Sequence, residues 1–147
     1  MPTYTITSAN FALTTEQEAA IARSITRSHH ESTGAPTYFA QVIFERIRSG
    51  KHYIGGKAYT TPHLFVNGLI RAGRSADAKA GLIKDIAAKV QTIAGIGPED
   101  IWVYIQDIPA TQMMEFGRIL PEPGAEDSWR AAMSAQKLQD LKAIGAI

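Results

Sequence analysis

The feature that most constrains this chain is that it repeats itself once. Pro2 aligns with Pro62 and Thr15 with Ser75 at an offset of 60, while Gly34 aligns with Gly95 and Val42 with Val103 at an offset of 61. Each copy opens on a short strand-like segment, Pro2–Thr7 or His63–Ile70, and in the first of these Tyr4 and Ile6 share the Pro2 face. A stripe at helical spacing follows: Ile21, Ala22, Ile25 and His29 in the first copy, Ile83, Ile86, Ala87, Val90 and Ala94 in the second. Thr14 with Gln17 and Thr15 with Glu18 form overlapping capping boxes for the first helix, and Ser75 with Asp77 suits the start of the second. Gly34 and Pro36 stop one helix; Gly95, Gly97 and Pro98 stop the other. Each copy closes on a segment rich in aromatic and β-branched residues, Tyr38–Ile47 and Ile101–Ile108.

Strand, helix and strand in that order predict parallel strands joined by a helical crossover. The expected fold is therefore α/β: a duplicated β-α-β unit in a single domain, 1–147, with repeats at about 2–47 and 62–108. A linker occupies 48–61 and a C-terminal extension 109–147. Four strands with both helices on one face leave the other face uncovered, which predicts an oligomer. The tail, with its Pro121-Glu122-Pro123-Gly124 loop and a helix near Ser128–Lys142, is expected to clasp a neighbour. Two such units also arise by chance in α/β proteins, but matched caps, lengths and opening prolines favour duplication.

Composition narrows the function. Fifteen Lys+Arg against fourteen Asp+Glu leave a net charge of +1, which argues against nucleic acid or an anionic membrane as partner. The absence of cysteine excludes disulfides, thiolate nucleophiles and Cys-based metal sites. No stretch approaches the ~20 apolar residues of a membrane span, and the N-terminus lacks the pattern of a signal peptide, so a soluble cytoplasmic protein is expected. His52 and His63 have no partner at metal-ligand spacing. Gly50 and Gly55 have P-loop separation, but Gly56 stands where the lysine belongs. No metal is expected.

Several residues could carry chemistry. Arg71 ends the third strand and Arg74 sits just before the helix that Ser75 begins, an arrangement suited to a carboxylate or phosphate. The competing reading is two solvated arginines flanking a turn. His29 lies on the inward stripe while His30 points elsewhere; most inward histidines are structural. Tyr104 shares a strand face with Trp102 and Gln106, a usual place for a core or interface tyrosine. Glu115, between Met113-Met114 and Phe116, has apolar surroundings that raise a carboxyl pKa towards general-base range; its alternative is a half-exposed helix glutamate. Pro2 becomes a terminal secondary amine once Met1 is removed, titrating near pH ~8 when unperturbed. Arg71 and Arg74 would lower that value and Glu115 would raise it.

Taken together these motifs resemble the fused members of the tautomerase superfamily, and within it the cis-3-chloroacrylic acid dehalogenase family. The likeness runs from Pro2 to about Trp129. It is carried by Pro2-Thr3-Tyr4, Ser28-His29-His30, Ala40-Gln41-Val42, Arg71-x-Gly73-Arg74-Ser75 and Ile101-Trp102-Val103-Tyr104. It continues through Met114-Glu115-Phe116-Gly117-Arg118 and Leu120-Pro121-x-Pro123-Gly124. The resemblance implies a homotrimer and a small unsaturated carboxylic acid as substrate, with no metal or organic cofactor. It implies that Pro2 is the catalytic amine, that His29, Arg71 and Arg74 hold the substrate carboxylate, and that Tyr104 and Glu115 activate a water. The reaction implied is hydration of a 3-haloacrylate or an acetylenic acid to malonate semialdehyde. Two alternatives stand beside it: keto–enol tautomerisation of phenylpyruvate-like substrates with neutral Pro2 as base, and a non-catalytic binding or signalling role on the same scaffold.

Overall fold

The computed structural model describes residues 2–144; Met1, whose removal is expected, and the last three positions of the C-terminal extension lie outside the described residues. Strand β1 (Thr3–Ala9) leads into helix α1 (Thr15–Thr33), which returns the chain to β2 (Gln41–Ile47). Of the two possible caps the fold uses Thr14: its hydroxyl accepts from the Gln17 amide at 3.2 Å, and the Gln17 side chain accepts from the Thr14 amide at 2.9 Å. Gln17 has a second role, since its Nε2 donates to the Ile93 carbonyl at 3.0 Å and ties the start of α1 to the end of the second long helix. At the far end Gly34 takes a left-handed φ of 71° and donates to the His30 carbonyl at 2.7 Å, turning the chain out of the helix.

The second copy repeats the plan with β5 (His63–Arg71), α2 (Ala76–Ala94) and β6 (Ile101–Ile108). Between the copies the linker folds into a small hairpin, β3 (Tyr53–Ile54) and β4 (Lys57–Ala58). The four long strands form one sheet in the order β2-β1-β5-β6. Pairing is parallel within each copy and antiparallel between β1 and β5. Ile6 pairs with Val66, its own equivalent at an offset of 60, so an approximate two-fold axis passes through that pair. This is the geometry that a duplicated unit produces when it packs on itself.

The helices keep an offset of 61, with Thr14 and Ser75 as N-caps and Gly34 and Gly95 as C-caps. The outer strands differ from the sequence alignment by two residues: Ile6 pairs with Phe44, whereas Val66 pairs with Val103. A slip of two keeps every side chain on its face, so the core is undisturbed. Tyr4, Ile6, Leu64, Val66 and Ile70 meet Ile21, Ile25, Leu82, Ile86 and Val90 in that core. Leu82 takes the fully buried place expected of Ile83, which is half-buried.

The other sheet face is only partly covered among the described residues, the linker's His52 packing on His63 with ring centroids 4.8 Å apart. Ile43 lies on it, and Trp102 and Tyr104 stand 41% and 52% exposed. The C-terminal extension corrects one expectation. It forms a hairpin, β7 (Met114–Glu115) with β8 (Arg118–Ile119), and then two helices, α3 (Glu126–Ala131) and α4 (Ala135–Ile144), where one was expected. Ser134, whose hydroxyl accepts from the Lys137 amide at 3.2 Å, marks the break between the helices. Helix α3 packs on its own chain: the Trp129 ring meets Phe39 edge-on at 5.9 Å, and its Nε1 donates to the Ile119 carbonyl at 2.7 Å.

Candidate active site

Antiparallel pairing of β1 with β5 brings the start of one strand to the end of the other. Thr3 lies opposite Leu69, so Pro2 sits beside Ile70, one residue from Arg71. The Gln41 amide at the start of β2 donates to the Pro2 carbonyl at 3.0 Å, and the Pro2 side chain is fully buried. A titratable amine at this position would therefore act next to low-dielectric surroundings.

Two residues along β1, on the same face, Tyr4 reaches the last turns of α1. Its Oη and His29 Nδ1 are 2.8 Å apart, with the rings edge-to-face at 5.8 Å. Both groups are buried. Burial pushes the Tyr4 phenol up, so it keeps its proton. Burial first, and then the charge of Arg74, lower His29 to about 3, so the imidazole is neutral. With both groups neutral, one proton in the contact suffices; when the phenol donates it to Nδ1, the imidazole keeps Nε2–H as its remaining donor. The room for Tyr4 comes from its neighbour in β5. Gly68 pairs with Tyr4, and a Cβ there would stand 2.6 Å from Tyr4 Cε1. His30 points away, its Nδ1 lying 2.7 Å from the Ala35 carbonyl on the surface.

Arg71 and Arg74 flank Gly73, whose φ of 108° turns the chain from β5 towards α2. They line a cavity of about 410 Å³ together with Phe39, Pro121, Glu126 and Trp129. Arg71 donates from Nη1 to the Pro121 carbonyl at 2.6 Å and from Nη2 to Glu126 Oε1. Burial, followed by the neighbouring Arg71 charge, holds the Arg74 guanidinium below its usual range.

Glu115 is not a helix residue. It ends β7 and pairs with Arg118 across a two-residue turn, Phe116-Gly117, in which both residues have positive φ, 52° and 76°. The half-buried carboxyl lines a cavity of about 550 Å³ with Thr3, Phe39 and Gln41. Burial raises its pKa above the ordinary carboxylate range. Phe39 is a wall common to this cavity and the arginine cavity.

Five of the six expected residues, Pro2, His29, Arg71, Arg74 and Glu115, thus gather at one end of the sheet. Tyr104 does not join them. It pairs with Asn67, four residues before Arg71, or about 13 Å back along the strand, and it projects from the open face against Phe65 at 5.0 Å. Sequence reasoning missed Tyr4 as the partner of His29, although its place on the Pro2 face pointed there. Phe39, Glu126 and Trp129 carried no local signal. Among the described residues no cluster of three His, Cys, Asp or Glu side chains could hold a metal, and no helix is long and apolar enough to cross a membrane.

A β-α-β pair folded about a two-fold axis, with a buried second-residue proline beside arginines at its sheet end, defines a class, and comparison with known proteins agrees. The sequence family described as "Putative oxalocrotonate tautomerase enzyme" matches residues 1–134. The crystal structure of N1, a member of the cis-3-chloroacrylic acid dehalogenase family, is 33% identical, with a TM-score of 0.88 over 96% of this chain and 99% of that one. The structure of native Ps01740 is 27% identical, with a TM-score of 0.72 over 77% of this chain and 99% of that one. A wild-type fused 4-OT symmetric trimer shares the fold at 22% identity, TM-score 0.73, over 80% and 94% of the two chains. No curated protein sequence matches. The chain belongs to the tautomerase superfamily, in the cis-3-chloroacrylic acid dehalogenase family.

Proposed function

We propose that this protein is a cofactor-independent hydratase and hydrolytic dehalogenase that adds water to 3-haloacrylates or acetylenic acids. The observation that carries the proposal is the position of Glu115. A carboxyl made more basic by burial lines a cavity that shares a wall with a two-arginine anion site, at the sheet end where Pro2 begins.

In this reading Arg71, Arg74 and the Nε2–H of neutral His29 bind the substrate carboxylate and draw electron density from C3. They also stabilise the enediolate-like charge that develops as water adds. Glu115 takes a proton from water, the hydroxide forms a bond to C3, and the protonated amine of Pro2 delivers a proton to C2. When C3 bears chlorine, the halohydrin then loses HCl and gives malonate semialdehyde. An alkyne gives the enol of the same aldehyde, which ketonises. Ionised Glu115 and protonated Pro2 are both needed, so activity is confined between their two pKa values.

Tyr104 enters as a residue supplied by a neighbouring copy. The open sheet face on which it stands is the surface that a homotrimer would bury, and the fused 4-OT relative is a trimer. A cytoplasmic location is consistent with this assignment. Keto–enol tautomerisation needs only the amine and the anion site. The basic carboxyl of Glu115 favours hydration over it, and over a purely binding role. The test is Glu115→Gln in a preparation freed of Met1. Water addition to propiolate should fall by at least ~10²-fold while ketonisation of phenylenolpyruvate persists. Equal loss of both would show that Glu115 is structural.

A further inference from the structure

The arginine cavity already contains carboxylates. Helix α3 begins directly over it because the Pro121–Gly124 turn rests on the turn between the two arginines. A Cβ on Gly73 would stand 3.0 Å from Pro123 Cγ. This seating delivers two acidic residues, Glu126 and Asp127, to the rim. Glu126 pairs with Arg71 through Oε1, while its Oε2 accepts from the Gly124 amide at 2.8 Å. Asp127 pairs with Arg130 one turn on, and Arg130 also donates to the Tyr38 hydroxyl at 3.2 Å.

Three guanidinium groups and two carboxylates line the cavity, and the two carboxylates are matched to Arg71 and Arg130. Among the described residues Arg74 makes no hydrogen bond or ion pair. His29 beside it is neutral at physiological pH. The charges lining the cavity therefore sum to one positive, and Arg74 is the guanidinium without a direct carboxylate partner.

We propose that Glu126 is a specificity-determining residue: by pairing with Arg71 it leaves one uncompensated guanidinium, so the site selects monocarboxylic over dicarboxylic acids. A single carboxylate satisfies Arg74 and the free donors of Arg71. A second carboxylate on the same ligand finds no unpaired guanidinium in this cavity, and it is repelled by the half-exposed Glu126 carboxylate.

This inference rests on the cavity being the acid-binding site, and binding can test it without turnover. Butyrate and succinate have the same carbon skeleton and differ by one charge. The affinities of the whole protein for both are measured by NMR titration at low ionic strength, where screening is weak. The wild type should prefer butyrate by about tenfold or more, Glu126→Gln should narrow that ratio by about tenfold, and Glu126→Asp should restore it. Equal affinities in the wild type would overturn the proposal, whichever variants fold. So would a ratio that is unchanged in Glu126→Gln while both acids weaken together, which would make Glu126 a support for Arg71 alone. If neither acid binds the wild type, the assignment of the cavity as the acid site falls, and this proposal with it.

Discussion

The state of His29 can be tested through stability. Its imidazole is lowered to about 3 in the fold, from 6.5 when unperturbed. A histidine with a depressed pKa binds more protons unfolded than folded. Its contribution is therefore fully present above pH 6.5 and is lost progressively as pH falls towards 3. Between pH 7 and pH 5 the unfolded state gains about 0.7 proton at this residue and the folded state almost none. The linkage relation then gives a loss of about 2 kcal/mol, or roughly 4–8 °C in Tm for a chain of this size. Thermal or urea unfolding at pH 7, 6 and 5 should show that extra slope in the wild type, and its absence from His29→Gln. A further readout is the NMR titration of the imidazole itself, which should stay neutral down to pH 5. Identical slopes in the two proteins, or a His29 midpoint near 6.5, would refute the neutral Tyr4–His29 pair and with it the Nε2–H donor.

Three other outcomes follow from the geometry. Gly68→Ala places a methyl 2.6 Å from Tyr4 and 2.7 Å from Ile105, so urea unfolding should show a loss of about 1–3 kcal/mol, accompanied by a raised KM for the acid substrate as Tyr4 is pushed from His29. The acid limb of the kcat/KM profile should report Glu115 titrating above the ordinary carboxylate range, and should vanish in Glu115→Gln; a limb at an unperturbed value would contradict its burial. Mixed refolding of Tyr104→Ala with Glu115→Gln, each inactive alone, should restore about a quarter of wild-type activity if Tyr104 serves a neighbour's site, and none if it acts within its own chain.

Much of the fold was legible because its signals are local. Caps, stops and alternating segments are written within a few residues of where they act, and the duplication placed them twice. The choice of Thr14 over Thr15 was not local: it places Gln17 where its amide also reaches Ile93, 76 positions away. The two-residue slip of the outer strands left no trace because it changes no face. Glu115 looked compatible with a helix because its apolar neighbours say nothing of period, and Phe116 at positive φ is a conformation that few sequences announce. At the site, the titratable residues were legible by type and order. Their partners were not: Tyr4 meets His29 only because α1 crosses β1, and Glu126 meets Arg71 only because the tail folds back. Tyr104 was read as part of the site, yet within one chain it stands about 13 Å back along the sheet from Arg71. The proposed trimer would supply it from a neighbouring copy.

The most direct test of the central claim is steady-state turnover by one Met1-free preparation. Its substrates are cis-3-chloroacrylate, the trans isomer, propiolate and phenylenolpyruvate. The account predicts malonate semialdehyde from a chloroacrylate or propiolate at a rate exceeding enol ketonisation, and lost in Glu115→Gln. Ketonisation alone, with no water added to either unsaturated acid, would contradict it and leave a tautomerase on the same fold.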